Sequence, residues 1–248
     1  MLFVQASLRR LGPVAGGAAT VVDALLDALG GPGRGTLVAY TGTPENSSTS
    51  RLVTTMQAGW SAERIAEWRA GMPPFDPATT PSSPTMGRLS EEVRRRPDAL
   101  RSSHPQASFA AVGERAKEIT EVHDLDCHLG QRSPLGRLHE IGARALTIGV
   151  PLDRFTVFHL ADLRMPDVPT RHYSCVVKDG AGRRWVHFDG PFLDDLHFAE
   201  LGEAVLREAR GVTGELVGGA YCRLLPIREV VDLAVRSLRR SRGLPPEE

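Results

Sequence analysis

LFVQAS at residues 2–7, AATVVDALLDAL at 18–29 and GTLVAY at 35–40 read as strand, helix and strand. The outer two are short apolar runs bounded by turn residues, as strands in a sheet core are. In the middle segment Val21, Val22, Leu25, Leu26 and Leu29 recur at the helical period. Gly12-Pro13 and Gly16-Gly17 turn the chain before it, and Gly30, Gly31 and Gly33 close it. This spacing predicts two parallel strands joined by a right-handed crossover, which makes the chain α/β.

The rest of the chain continues that pattern. Residues 43–50 form a polar loop, and 61–71 an amphipathic helix flanked by Trp60 and carrying Trp68. Residues 72–84 hold five prolines and exclude regular structure. Phe75 and Asp76 within them mark a rigid internal loop rather than a linker. Helices are predicted over 86–95, 114–121, 134–141, 155–163, 198–210 and 227–238, and strands over 108–112, 144–150 and 220–225. Asp179-Gly180 between residues 173–178 and 184–188 predicts a hairpin. The polar tail at 243–248 is expected to fray. With no internal repeat and no composition break, residues 1–248 read as one domain with a mixed sheet flanked by helices.

Composition narrows the function classes. Thirty basic residues balance thirty acidic ones, so no net field draws the chain to nucleic acid or to a membrane surface. Lys117 and Lys178 are the only lysines. No apolar run is long enough to cross a bilayer, and the start lacks a signal-peptide pattern. Cys127, Cys175 and Cys222 show neither a disulfide framework nor metal-ligand spacing. These readings place the protein in the cytoplasm, without a metal, and set no oligomeric state.

Several segments in one order resemble the aminoglycoside N3-acetyltransferase (antibiotic N-acetyltransferase) family. They are Ala6-Ser7-Leu8 with Gly16-Gly17, Pro74-Phe75-Asp76-Pro77-Ala78-Thr79-Thr80, Arg101-Ser102-Ser103-His104-Pro105, and Ser108-Phe109-Ala110-Ala111-Val112-Gly113. Ser133-Pro134-Leu135-Gly136-Arg137-Leu138, Phe158-His159-Leu160-Ala161-Asp162 and Val217-Gly218-Gly219-Ala220-Tyr221-Cys222-Arg223-Leu224 complete the set. The resemblance covers nearly the whole chain. It implies a fold unrelated to GCN5-type acetyltransferases and transfer of an acetyl group from acetyl-CoA, as co-substrate, to the 3-amino group of a 2-deoxystreptamine ring, in resistance or self-protection.

Amine acetylation needs a base for the amine proton, a held thioester and a stabilised oxyanion. Eight histidines compete for the base. The resemblance implies His159, with Asp162 three residues on, on one helix face, to orient it. The bland alternative is a buried, hydrogen-bonded His159 beside a solvated Asp162. Thr156 is implied as a hydroxyl at the reacting centre, with helix capping as its other role. His104 matches the family and either touches ligand or shapes its turn. The remaining histidines, including His123, His128 and His197, read as surface or structural.

Glycines before a helix let backbone amides approach a pyrophosphate. The resemblance therefore implies a coenzyme site at Ser7, Leu8, Gly16, Gly17 and Thr20, with Ser108 and Phe109 near the acyl-carrying arm. The other role of Ser108 and Phe109 is a plain buried strand. A polycationic amine calls for carboxylates: Glu45, Asp76 and Asp189 are candidates, and the resemblance adds Asp153. Each of them is equally readable as an ordinary solvated or turn acid.

The chain departs from the family pattern in several places. It begins almost at its first strand, without the helix that family members carry before it. Gln5 stands where the family usually has histidine, Asp162 where it has Glu, and Phe155 where it has Asn. The aromatic that usually follows Tyr40-Thr41-Gly42 is absent at Thr43. Two further readings therefore stand beside aminoglycoside acetylation: acylation of another amine in a biosynthetic pathway, and a catalytically impaired coenzyme A-binding homologue.

Overall fold

The computed structural model describes residues 1–31 and 33–246. Its strands are β1 (Leu2–Ala6), β2 (Thr36–Tyr40), β3 (Leu100–Arg101), β4 (Phe109–Gly113), β5 (Arg144–Ile148), β6 (Thr170–Asp179), β7 (Gly182–Pro191), β8 (Thr213–Val217) and β9 (Ala220–Pro226). Its helices are α1 (Leu8–Leu11), α2 (Gly17–Ala28), α3 (Arg51–Met56), α4 (Ala62–Gly71), α5 (Arg88–Arg94), α6 (Ala116–Thr120), α7 (Pro134–Glu140), α8 (Phe158–Asp162), α9 (Phe198–Glu208) and α10 (Ile227–Ser241).

Seven strands form a mixed sheet in the order β3-β4-β2-β1-β5-β9-β8. β1 is the centre and runs parallel to both β2 and β5. The strand–helix–strand reading of residues 2–40 is thus correct in its pairing. The other ladders of this sheet are antiparallel. β6 and β7 form a separate antiparallel hairpin.

Alternation along the central strands builds two cores. Leu2 and Val4 face Val22 of α2 and Leu89 and Val93 of α5. Phe3 points the other way, into a larger core with Leu135 and Leu138 of α7, Phe158 of α8, Leu201 of α9 and Val231 of α10. A sheet covered on both faces explains why β1, β2 and β4 read as unbroken apolar runs.

The structure adds elements that sequence reading did not predict: α1, α3, β3 and β8. It shortens the helix predicted over 155–163 to α8, because Leu152–Arg154 forms a 3-10 turn and Phe155 an extended link. The hairpin strands are each ten residues, longer than their apolar cores. Of the tail, Leu244 packs on the core and its N–H donates to Arg239 O at 2.8 Å, so it does not fray there. Glu247 and Glu248 lie outside the described residues.

Candidate functional site

A cleft of about 770 Å³ opens at the C-terminal ends of β1 and β2. Strands in a parallel core end where α/β proteins place their ligands. Ser7, Leu8 and Thr156 line it, together with Tyr40 and the guanidinium-bearing Arg9, Arg88 and Arg154. Ser7 is fixed by its N–H, which donates to Ile148 O at 2.8 Å. The cleft floor is drawn together by Gln5. Its Nε2 donates to Arg154 O at 2.7 Å, and its Oε1 accepts from Thr156 N–H at 3.2 Å. One amide thus clamps β1 to the turn that precedes α8.

Gly16, Gly17 and Thr20 are not brought to this cleft. Gly16 and Gly17 have φ of 76° and 66° and start α2, while Thr20 Oγ1 donates to Ala15 O at 2.8 Å. The unforeseen α1 intervenes between Ser7 and these glycines, which moves them off the cleft wall. Ser108 and Phe109 are fully buried. Ser108 Oγ donates to Thr41 O at 3.0 Å and accepts from Arg101 Nε at 2.9 Å. Here the plain-strand reading describes their surroundings.

One turn beyond Thr156 lies His159, whose side chain is 16% exposed. Its ring packs 4.7 Å from that of Phe198. Its Nδ1 is buried with no hydrogen-bond partner among the described residues. Asp162 Oδ2 faces that nitrogen at 3.8 Å, too far for a hydrogen bond. Burial pushes His159 down to about 4, against the pull of Asp195, with His197 lowering it further. The ring is therefore neutral near pH 7, as a base must be. Burial raises Asp162 above the usual carboxylate range, opposed by the charge and hydrogen bond of His197.

His197, read from the sequence as surface or structural, is the direct partner of Asp162: its Nε2 donates to Asp162 Oδ1 at 2.6 Å. No spacing rule could have found it, since α9 delivers it from 35 residues away. His104 shapes its turn instead of facing the cleft. Its Nδ1 accepts from the N–H groups of Gln106 and Ala107 at 3.1 Å each, and its Nε2 donates to Leu125 O at 3.1 Å. Its ring is fully buried against His123 and His128.

The four candidate carboxylates are dispersed. Glu45 lines a second cleft of about 620 Å³, which meets the first at Pro84. It accepts from Ser83 Oγ at 2.5 Å. Asp76 is tied to Lys178 at 2.7 Å, a bond that also lowers its pKa. Asp189 pairs with His172 at 3.0 Å on the hairpin. Asp153 sits exposed in the 3-10 turn before α8. Only Glu45, of the four, lies in a cleft continuous with the arginine-lined one. No cluster of three or more His, Cys, Asp or Glu that could hold a metal occurs among the described residues. No described helix is long and apolar enough to cross a membrane.

With this geometry in place, comparison with known proteins defines the class. The chain belongs to the aminoglycoside 3-N-acetyltransferase family, whose model matches residues 3–239. It is 34% identical to aminoglycoside N(3)-acetyltransferase III of Serratia marcescens, over 99% of this chain and 93% of that protein. The crystal structure of YokD from Bacillus subtilis superposes with a TM-score of 0.87 at 30% identity, covering 98% of this chain and 87% of that one. AAC-IIIb in binary complex with CoASH superposes with a TM-score of 0.83 at 27% identity, covering 100% of this chain and 92% of that one. The protein is thus an acyltransferase on the fold of these enzymes, distinct from the GCN5 type.

Proposed function

We propose that this protein transfers the acetyl group of acetyl-CoA to the 3-amino group of 2-deoxystreptamine aminoglycosides, with His159 as general base. The observation that supports it most is Thr156 in the lining of an arginine-lined cleft, one helical turn before the buried His159. Coenzyme A carries phosphates at one end and a thioester at the other. Arg9, Arg88 and Arg154 suit the phosphates, because guanidinium donors match phosphate oxygens. Ser7 and Leu8 line the same cleft. The relative solved with CoASH and the names of the curated relatives point the same way.

In this reading the amine nitrogen attacks the thioester carbonyl carbon. As the new C–N bond forms, a proton passes from the amine to His159. The C–S bond then breaks, and the coenzyme thiolate leaves and takes up a proton. Asp162 stabilises the imidazolium that forms in a buried site. Such a product serves resistance or self-protection, in the cytoplasm where acetyl-CoA is made.

A second reading, acylation of a different amine, is favoured by the second cleft. Glu45 is its one ionisable residue among the described residues, and Trp68, Met72, Pro73 and Pro81 supply apolar walls. That lining suits an amine with fewer charges and an apolar body.

The test is thiol release from acetyl-CoA with a panel of 2-deoxystreptamine aminoglycosides and of aryl- and alkylamines, with His159→Ala in parallel. Turnover on the aminoglycosides, reduced roughly a hundredfold or more in His159→Ala, is the expected result. Turnover confined to the simpler amines would replace the first reading by the second. Folded protein that binds coenzyme A and turns over nothing would identify a catalytically impaired homologue.

A further inference from the structure

We infer that His197 is a positioning residue for acyl transfer, holding the Asp162 carboxylate with its second oxygen turned toward Nδ1 of His159. This rests on the reading of His159 as the base. Three groups from two places in the chain, α8 and the start of α9, meet here. Asp162 Oδ1 takes the 2.6 Å hydrogen bond from His197, and Asp162 Oδ2 faces His159 at 3.8 Å. The other His197 nitrogen, Nδ1, lies 3.8 Å from Asp194 Oδ1. Asp194 is itself anchored, accepting from Leu196 N–H at 3.2 Å. Phe198, next in the chain, packs its ring against both imidazoles, 5.3 Å from His197 and 4.7 Å from His159.

The arrangement answers a local problem. Asp162 is the terminal residue of a five-residue helix. Its carboxylate borders a cleft of about 300 Å³ also lined by Asp167, Asp194, His197 and Arg242. A carboxylate there has solvent and Arg242 as competing partners. Turned toward either, it would carry Oδ2 away from the already unpartnered Nδ1 of His159, which then could not reach a counter-charge when His159 takes the amine proton. An unpaired buried charge is strongly disfavoured. The His197 bond removes that freedom from the resting enzyme. It also favours the ionised carboxylate over the protonated one that burial promotes.

The groups facing Asp162 fix the sign of the pH effect. They are His159 on its own helix, His197 at the start of α9, Asp194 just before it, Asp167 across the cleft and Arg242 after α10. Removing His197 leaves Arg242 as the cation and Asp194 as a repelling neighbour. Asp162 then holds its proton to higher pH, and the acid limb of activity moves up.

The test compares wild type, His197→Ala, His197→Gln and Asp162→Asn, using acetyl-CoA and an accepted amine. In His197→Ala, kcat falls about tenfold and the acid limb of the kcat profile rises by about one pH unit, while KM for acetyl-CoA stays within about twofold. His197→Gln, which keeps a donor at similar reach, recovers most of kcat. In the Asp162→Asn background, His197→Ala adds less than about twofold, because the two act as one unit. Unchanged kcat in His197→Ala, equal losses with Ala and Gln, or a stationary acid limb would each overturn the assignment. His159→Ala at wild-type rate would sink the base reading instead. The nitrogen NMR shifts of the His197 ring in the resting enzyme report the contact independently of turnover. They change in Asp162→Asn if the contact exists, and stay fixed if it does not.

Discussion

Gln5 shows how one side chain can set a cleft. It donates to Arg154 O and accepts from Thr156 N–H, groups some 150 positions away along the chain. Its amide offers a donor and an acceptor on one plane, so it can satisfy both at once. Gln5→Leu removes both bonds and leaves the part-buried Thr156 N–H without its partner, while the exposed Arg154 carbonyl turns to water. Stability should fall by about 1–3 kcal/mol, read as a lower Tm, and KM for acetyl-CoA should rise because Arg154 and Thr156 line the cleft. A Tm and KM equal to wild type would show that the turn before α8 holds itself. At this scale the sequence was informative where neighbours in the chain are neighbours in space. His159 and Asp162 share one helix turn, so spacing predicted their proximity. His197 and the Gln5 clamp were invisible, because only tertiary packing brings them to their partners. The glycines at 16 and 17 do not line this cleft, because a four-residue helix, α1, stands between Ser7 and the start of α2.

Among the elements, the proline-rich loop depends on α5. Glu91 Oε2 accepts from both Ser82 N–H and Ser82 Oγ at 2.9 Å, and its carboxylate pairs with Arg94 at 2.6 Å. Burial pushes Glu91 up, but Arg94 and the two Ser82 bonds outweigh it and hold it at about 2. A carboxylate depressed in the folded state stabilises above its unfolded value and loses that contribution as pH falls through the folded one. Glu91→Gln should therefore cost about 1–3 kcal/mol near pH 7. The difference should shrink across the window from about 4.5 down to about 2. Equal urea midpoints for the two proteins at pH 7 would contradict this. The elements missed from the sequence share a cause. β8, read as TGELV, is exposed along its whole length, so no apolar alternation marks it, and it exists because β9 offers an edge to pair with. α3 buries only Val53, too little to show a periodic stripe. The apolar runs of β1, β2 and β4 were legible because both sheet faces are covered.

At the scale of the molecule, the hairpin is a second layer held to the main sheet through loops. Ser47 bridges to Cys175 and Phe75 to Val177. Phe75 N–H donates to Val176 O at 2.9 Å, and Lys178 N–H donates to Phe75 O at 3.0 Å. Tyr173 and Phe188 pack on the ring of His128, and Gly190 leaves the space that ring occupies, since a Cβ there would lie 2.7 Å from it. Phe75 is 3% exposed and lies under the Arg101 guanidinium at 5.0 Å, so it pins the proline-rich loop to the hairpin on one side and to the β3 edge on the other. Such a layer can open as a unit while the seven-stranded sheet stays closed. Phe75→Ala removes the pin at a local cost of about 3 kcal/mol or more. Amide exchange along β6 and β7 and in residues 72–84 should accelerate about a hundredfold, by that free energy expressed as an opening equilibrium. Exchange in β1, β2 and β5 should stay near wild type, because their protection comes from the two cores on either side of the sheet. Acceleration spread evenly over all strands would mean that hairpin and sheet open together. The hairpin would then belong to the same cooperative unit as the cleft.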